Sequence, residues 1–250
     1  MPGSGRTLDG MSERTVALVT GANKGIGFEI AAGLGALGWR VGVGARDDTR
    51  RGTAVEKLRA AGVDAFGVPL DVTDDASVAA AARLVGAQEG GLDVLVNNAA
   101  ITGGAPQEPS LVDPEVVRAV VDTNVVGVLR VTNAMLPLLR RSASPRIVNM
   151  SSSVGSLTLQ SGGGDTGPIS GAYAPSKSFL TALTVQYAKE LRGTGILVNA
   201  GCPGFVATDL NGHRGTRTPE QGAAIAIRLA TLPADGPSGG IFSDSGVVPW

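Results

Sequence analysis

A tyrosine and a lysine lie four residues apart in GAYAPSKSF, residues 171–179. The spacing of Tyr173 and Lys177 matches one turn of a helix, so both side chains would project from one face. A phenol with a pKa of about 10 releases its proton slowly unless a nearby positive charge stabilises the phenolate. The chain has only two tyrosines and four lysines, which makes the pairing suggestive. It indicates either an acid with its activating ammonium or two ordinary residues of a surface helix.

The bulk composition is that of a folded α/β protein without special electrostatics. The 250 residues are 43% hydrophobic and 17% charged, with a net charge of −1, which gives no argument for nucleic acid or anionic membrane as a partner. The single Cys202 cannot form an internal disulfide, so we expect a reducing, cytoplasmic compartment. Apolar runs too short to span a membrane and the lack of an apolar signal core point the same way. We predict a flexible, polar tail over residues 1–14 and one domain over 15–250.

Short apolar runs alternate with helical patterns, as in a parallel sheet covered by helices on both faces. The predicted strands are 15–20, 40–46, 64–71, 92–100, 145–152, 195–201 and 239–244. The first helix carries apolar residues at Ile26, Ile30, Leu34 and Leu37 and ends at Gly38. Further helices are predicted over 53–61, 75–89, 114–140, 174–192 and 219–231.

A glycine-rich turn, TGANKGIG at residues 20–27, joins the first strand to the first helix. Its glycines would let the backbone approach a pyrophosphate, and the helix N-terminus would add N–H donors and a positive dipole. Glycines also serve inert tight turns, but the flanking strand and helix favour nucleotide binding. The prediction is a single-domain, Rossmann-type doubly wound parallel sheet of about seven strands.

The end of the second strand bears on which dinucleotide binds. Arg46 follows this strand, and Lys24 lies in the glycine turn. An acidic residue at the strand end would suit the 2′-hydroxyl of NAD, whereas arginine suits the 2′-phosphate of NADP. Both cations can also be ordinary solvated charges, and Asp47 and Asp48 weaken the pattern. NADP(H) is the predicted cofactor, and no metal site is predicted.

Seven motifs together resemble the short-chain dehydrogenase/reductase family from about residue 15 to the C-terminus. They are TGANKGIG (20–27), LDV (70–72), NNAA (97–100), DTNVVG (122–127), IVNMSS (147–152), YAPSK (173–177) and NAGCPGFVATD (199–209). Within the family the chain most resembles NADPH-dependent carbonyl reductases, through GANKGIG, ARD, GLDVLVNNA and the ending TPEQGA through to Trp250. It departs at Ala100, where glycine is usual.

A second departure is the longer stretch from Ser152 to Tyr173. The inserted segment, about TLQSGGGDTGP, corresponds in position to a larger insertion that obstructs tetramer packing in animal carbonyl reductases. The resemblance therefore leaves both a homo-oligomer and a monomer open.

The resemblance implies a role for each of four residues. Tyr173 would protonate the carbonyl oxygen as general acid, and Lys177 would lower the pKa of that phenol and hold the nicotinamide ribose. Ser152 would donate to the developing oxyanion. Asn124, unfavourable in mid-helix without a task, would hold an ordered water of a proton relay to Lys177. Singly, each has an ordinary surface or turn interpretation, and only the set in order argues against it.

The resemblance and the positions imply further contacts. The predicted NADP(H) contacts are Gly21, Asn23, Lys24, Gly25, Ile26, Gly27, Arg46, Asp71, Val72, Asn98, Ala99, Tyr173, Lys177, Pro203, Gly204, Val206 and Thr208. The predicted substrate pocket, largely apolar, is formed by Val154, Leu159, Gln160, Phe205 and the loop 209–218. Cys202 is interpreted as a small buried residue, and His213 as a solvated lid residue.

The expected function is transfer of a hydride from NADPH to the carbonyl of a small-molecule ketone, aldehyde or quinone. One alternative is an NADP-dependent alcohol dehydrogenase that works in the oxidative direction with the same residues. A second is a non-catalytic NADP(H)-sensing protein, and a third is an interaction protein on this fold. The complete set Ser152, Tyr173 and Lys177 disfavours the last two.

Overall fold

Eight strands form one sheet at the centre of the computed structural model, which describes residues 14–162 and 167–250. The strands are β1 (Val16–Thr20), β2 (Arg40–Ala45), β3 (Ala65–Pro69), β4 (Val94–Asn97), β5 (Arg146–Met150), β6 (Leu197–Gly201), β7 (Ile241–Ser243) and β8 (Gly246–Val247). Their order is β3-β2-β1-β4-β5-β6-β7-β8, and all pairings are parallel except β7 with β8. The predicted doubly wound parallel sheet is confirmed. The tail over residues 1–13 and residues 163–166 of the insertion lie outside the described residues.

Helices cover both faces of this sheet. They are α1 (Gly25–Ala36), α2 (Asp48–Ala60), α3 (Asp75–Glu89), α4 (Pro114–Val121), α5 (Gly127–Leu139), α6 (Leu157–Ser161), α7 (Tyr173–Glu190) and α8 (Pro219–Ala230). Within the described ranges, none of them is both long and apolar enough to cross a membrane.

Four elements differ from the sequence-based expectation. Helix α2 begins five residues early, because Asp47 caps it by accepting a hydrogen bond from the Arg50 backbone at 2.8 Å. The helix predicted over 114–140 is interrupted by a π-helical segment, Asp122–Val126. The short strand β8 and helix α6 were not predicted, because both are too brief to show a periodic pattern.

Two hydrophobic cores lie on opposite faces of the sheet. Strand β1 alternates between them, since Leu18 packs with Met135 and Ile147 on one face and Val19 packs with Leu34 on the other. This alternation explains why the strand is apolar throughout and buried at every position.

The strand order reverses at β1, which pairs with β2 on one side and β4 on the other. In open α/β sheets, ligands bind at such a switch point, outside the carboxyl ends of the strands. The segments that follow β1, β4, β5 and β6 therefore meet at one edge of the sheet.

Candidate functional site

The turn after β1 needs glycine at each of its three glycine positions. Gly21 and Gly25 have φ angles of +64° and +55°, which favour glycine. A side chain at Gly27 would place its Cβ 2.4 Å from the Gly21 oxygen and 2.5 Å from Asn98 Nδ2. The turn therefore keeps its backbone bare at the start of α1, which fits the pyrophosphate of a dinucleotide.

The segment after β4 holds this turn from behind. Asn98 Nδ2 donates to the backbone carbonyl oxygen of Thr20 at 2.9 Å. The Thr20 hydroxyl accepts the backbone N–H groups of Asn98 and Ala99 at 2.9 and 3.0 Å. The Asn98 side chain thus supports the turn, and its predicted contact with the cofactor ribose stays a prediction.

The two candidate phosphate-binding cations pair with different carboxylates. Lys24 Nζ lies 2.5 Å from Asp209, whereas the Arg46 side chain is 76% exposed and lies 3.9 Å from Asp71. Lys24 thus reaches Asp209 in the segment after β6, and the predicted contacts of Lys24 and Arg46 with NADP(H) stay predictions. Asp47, which weakened the NADP pattern, caps α2 instead.

Asp71 follows strand β3 and lies beside Arg46. Its carboxylate accepts the backbone N–H of Thr73 at 3.0 Å and the Thr73 hydroxyl at 2.7 Å. Burial opposes the charged carboxylate, but these hydrogen bonds and the Arg46 guanidinium hold the pKa of Asp71 below its ordinary value. Val72 is buried against Gly127, where a Cβ would lie 3.0 Å from the Val72 methyl.

The remaining predicted cofactor residues flank the glycine turn. Thr208 approaches it, since a Cβ on Gly25 would lie 3.4 Å from the Thr208 methyl. Val206 is buried and packs beside Ile26 at Gly222. Asn23 and Pro203 are half-buried, and Gly204 is exposed with a φ of +78°.

Tyr173 is the first residue of α7, and Lys177 lies one turn later. Lys177 is 3% exposed, donates from Nζ to the Met150 oxygen at 2.7 Å, and lies 5.5 Å from the centre of the Tyr173 ring. The predicted helical pairing is thus present. Lys177 is also buried and Tyr173 is half-buried, which does not fit two solvated residues of a surface helix.

The pKa of Tyr173 is shifted in the direction opposite to the one expected from the sequence. Burial raises the pKa of the Tyr173 phenol above its ordinary value, and Cys202 adds to the effect. Burial also lowers the pKa of Lys177 to about 8, with Cys202 opposing. The direction for Tyr173 is opposite to the expected lowering of the phenol pKa, because burial disfavours the phenolate.

The three consecutive serines after β5 have different environments. Ser151 is buried and shares a hydrogen bond of 3.1 Å with Thr181, and the backbone N–H of Ser153 donates to Cys202 Sγ at 3.1 Å. Ser152 is half-buried, and its hydroxyl accepts only a long 3.4 Å bond from Val154. Gly155 brings this turn against α7, since a Cβ there would lie 2.7 Å from the Lys177 backbone.

Asn124 lies in the π-helical segment and is 1% exposed. Its amide bonds both the N–H and the C=O of Ile101 at 2.9 Å and donates to the Ser176 hydroxyl at 3.0 Å. The Ser176 hydroxyl in turn donates to the backbone carbonyl oxygen of Tyr173 at 2.6 Å. Ser176 has no predicted role, although it lies inside YAPSK, because its burial follows only from packing.

The predicted substrate residues lie in three segments, namely the serine turn, helix α6 and the segment after β6. Val154 is half-buried in the turn, Leu159 and Gln160 are exposed on α6, and Phe205 is exposed after β6. Two grooves of about 410 and 450 Å³ are lined by other residues. The predicted substrate pocket stays a prediction.

The segment after β6 folds back on itself. The Ala207 N–H donates to the Arg217 oxygen at 2.9 Å, and Asn211 completes a capping box with Thr208. His213 is 68% exposed and hydrogen-bonds Asp209 at 2.8 Å. Its predicted exposure is confirmed. No cluster of three or more potential metal ligands occurs among the described residues.

The sheet's switch point, the glycine turn and the pairing of Tyr173 with the buried Lys177 define a dinucleotide-binding α/β protein. The chain belongs to the short-chain dehydrogenase family, whose profile, described as "short chain dehydrogenase", matches residues 15–218. "Carbonyl reductase [NADPH] 1" of Mus musculus is 35% identical over 280 residues, which cover 96% of this chain and 99% of that protein. "Short-chain dehydrogenase/reductase 1" of Saponaria officinalis is 33% identical over 296 residues, 96% and 97% of the two chains.

A solved structure supports the same placement. The NADPH-bound carbonyl reductase from chicken fatty liver superposes with a TM-score of 0.83 at 31% identity, covering 95% of this chain and 100% of the other. The family resemblance inferred from the motifs is thereby confirmed, including its proximity to carbonyl reductases.

Proposed function

We propose that this oxidoreductase reduces the carbonyl of a ketone, aldehyde or quinone with NADPH, and that Tyr173 is the general acid. The observation that carries the proposal is the buried Lys177, fixed by the Met150 oxygen 5.5 Å from the Tyr173 ring. Burying a cation costs free energy, and groups kept in this state are common at functional sites. At the carboxyl end of β5, the task that fits is to stabilise the charge left on a phenol that has lost its proton.

NADP(H) is the cofactor, and the residues present fit it. When bound, NADPH supplies the hydride that adds to the carbonyl carbon. The bare glycine turn would hold the pyrophosphate, Arg46 the 2′-phosphate, and Asp71 and Val72 the adenine. The other proposed contacts are Asn23, Lys24, Ile26, Asn98, Ala99, Lys177, Pro203, Gly204, Val206 and Thr208.

The protein's own residues would handle the proton. Burial keeps the Tyr173 phenol protonated at neutral pH by raising its pKa, which is the state that a proton donor needs. The Lys177 ammonium favours the phenolate once the proton has left. Ser152, whose hydroxyl is held only by a long bond, would donate to the developing oxyanion, an effect of about 3–4 kcal/mol for such donors.

Asn124 would help to hold the helix of Tyr173 in place. Its three hydrogen bonds join the segment after β4 to the helix of Tyr173. A water held there as part of a proton relay to Lys177 remains part of the proposal.

Reduction is favoured over the oxidative direction because the exposed Arg46 suits NADP(H), which usually serves as a reductant. The same residues would run the reverse reaction. A cofactor sensor without turnover would not need the buried pair. Exposed Leu159 and Phe205 favour a bulky, apolar or aromatic carbonyl.

The test follows loss of NADPH absorbance with a panel of quinones, diketones, aldehydes and aromatic ketones. Tyr173→Phe should lose roughly 100-fold or more of the wild-type turnover, since one proton donor is worth about that. The matched control is Tyr187→Phe on the same helix, whose hydroxyl bonds Asn133 at 2.8 Å away from the pair. Equal turnover in wild type and Tyr173→Phe, or tight NADPH binding without turnover, would contradict the proposal.

Two further expectations remain predictions. The cytoplasmic location rests on the lone Cys202, and the oligomeric state stays open between monomer and homo-oligomer.

A further inference from the structure

The C-terminal segment, residues 246–250, returns to the serine turn. Strand β8 pairs with β7, and the Val248 N–H then donates to the Ile241 oxygen at 2.9 Å. Two residues later, the backbone oxygen of Trp250 accepts the Thr158 N–H at 2.6 Å and the Ser156 hydroxyl at 3.0 Å. The segment thus reaches across the site to the start of α6.

Ser156 links this contact to helix α6. It is 1% exposed, and its hydroxyl accepts the Leu159 N–H at 3.2 Å while it donates to Trp250. A hydroxyl has one proton to donate, and because the Trp250 oxygen accepts it, the lone pairs of Ser156 stay free to cap the Leu159 N–H. The orientation of α6, which carries Leu159 and Gln160, therefore depends on the Trp250 backbone.

Cys202 provides a second contact on the same turn. Its N–H donates to the Phe242 oxygen on β7 at 2.7 Å, and its sulfur accepts the Ser153 N–H at 3.1 Å. It packs in a small buried cluster with Ala200, Ile241 and Val248. Hydrogen bonds through Cys202 therefore connect strand β7 to Ser153, the residue next to Ser152.

We propose that Cys202 and the backbone of Trp250 are positioning residues that fix the serine turn and α6. Cys202 would set the direction of the Ser152 hydroxyl through Ser153, and Trp250 would set the substrate side through Ser156. The Ser152 hydroxyl needs such support, because its own bond to Val154 is long. This inference rests on the proposed carbonyl reductase function for its kinetic consequences.

The Cys202 contact is tested by two substitutions. Cys202→Ala removes the acceptor for the Ser153 N–H, whereas Cys202→Ser keeps an acceptor of similar size. We expect kcat to fall roughly tenfold in the alanine variant, because a small displacement of a reacting group costs that much or more. The serine variant should recover to within about threefold, and the Kd of NADPH should be unchanged in both. Equal losses in both variants would overturn this role.

The Trp250 contact is tested by removing its backbone. Deletion of residues 249–250 removes the acceptor, whereas Trp250→Ala keeps the oxygen and loses only the indole. We expect the deletion to raise the KM of the carbonyl substrate roughly fivefold, with Trp250→Ala within about twofold of wild type. Equal effects of the two variants would show that the indole acts, and would overturn the backbone role.

Hydrogen exchange separates this inference from the proposed function. The Thr158 amide should exchange at least about tenfold faster in the deletion, and the Ser153 amide in Cys202→Ala, with the core strands unchanged. This measurement needs no substrate. If wild type reduces no carbonyl, the proposed function fails while exchange still decides the anchoring; unchanged exchange overturns the anchoring whatever the activity.

Discussion

At the residue scale, the site depends on one buried cation and its neighbours. Lys177 sits among the apolar and backbone groups of β5 and α7, and its hydrogen bond to the Met150 oxygen fixes where its charge lies. Desolvation moves the pKa of Lys177 down and that of Tyr173 up, so both shifts favour the neutral forms. The chemistry proposed here works against this tendency, which predicts a visible dependence on pH.

We predict that the stability contributed by Lys177 rises with pH. Its folded pKa of about 8 lies below the ordinary 10.5, so between these values the unfolded chain binds more protons and the native state gains. The free energy of unfolding of wild type, relative to Lys177→Met, should increase by about 2 kcal/mol from about pH 7 to pH 9.5. Urea unfolding of both proteins at the two pH values measures this. A constant or falling difference would contradict it.

The second prediction at this scale concerns cofactor choice. Arg46 is exposed and only distantly paired, so it can turn to the 2′-phosphate at little cost. Arg46→Ala should raise the KM of NADPH roughly 10- to 100-fold, since a charge-assisted hydrogen bond is lost, and that of NADH less than about threefold.

Arg50→Ala is the matched control for Arg46→Ala. Arg50 is similarly exposed, but lies 3.8 Å from Asp47 at the start of α2. It should leave the ratio of the two KM values unchanged. Equal weakening of NADPH and NADH by Arg46→Ala would refute the assignment.

At the scale of the elements, buried amides connect helix α7 to the sheet. Asn97 donates to Asn149 at 2.9 Å, and Asn149 donates to Thr184 on α7 at 2.9 Å. These bonds connect β4, β5 and α7 through the interior. The π-helical segment adds a further tie through Asn124, and such one-turn irregularities are common where function requires a particular side-chain position.

Asn124→Ala tests the π-helical tie. The substitution leaves the N–H and C=O of Ile101 and the Ser176 hydroxyl without their partner. We expect the free energy of unfolding to fall by about 2–4 kcal/mol, because unpaired buried polar groups carry a full desolvation penalty. Thermal or urea unfolding measures it. Asn133→Ala on α5 is the control, since it removes one hydrogen bond, from the Tyr187 hydroxyl, and should cost about 1 kcal/mol; comparable losses would argue against the tie.

At the scale of the whole molecule, contacts between distant parts of the chain complete the cofactor cleft. Lys24 in the glycine turn pairs with Asp209, 185 residues later, and Asp209 also bonds His213. The Lys24 ammonium and then the His213 ring hold the pKa of Asp209 below its ordinary value, so it is charged at neutral pH. The turn and the segment after β6 are thereby joined at the mouth of the cleft.

We predict that Asp209→Asn binds NADPH more tightly. Removing the carboxylate frees Lys24 and reduces repulsion of an anionic cofactor. Fluorescence titration at low salt should show a Kd lower by roughly two- to fivefold, with the difference shrinking at high ionic strength. Glu220→Gln removes an equally exposed charge that is not paired with Lys24, and should change the Kd less. Weaker binding by Asp209→Asn would reverse the interpretation.

The local sequence predicted much of the architecture. The apolar runs of β1 to β7 are continuous because both faces of the sheet are covered, and α3 was predicted at its observed bounds, Asp75–Glu89, because Asp74 caps it and Gly90 ends it. The glycine turn and the Tyr173–Lys177 pairing could also be predicted from sequence. The turn depends on the backbone freedom of glycine, and the pairing depends on the period of the helix.

Only the tertiary structure decided what depends on contacts between distant residues. The pKa directions of Tyr173 and Lys177 follow from burial, the pairing of Lys24 from Asp209, and the positions of Ser153 and Ser156 from Cys202 and Trp250. Such contacts join parts of the chain that have no periodic relation. The sequence alone therefore predicted which residues would carry the proposed chemistry, and it determined on which elements they lie. Packing alone determined their charge, their direction and what holds them.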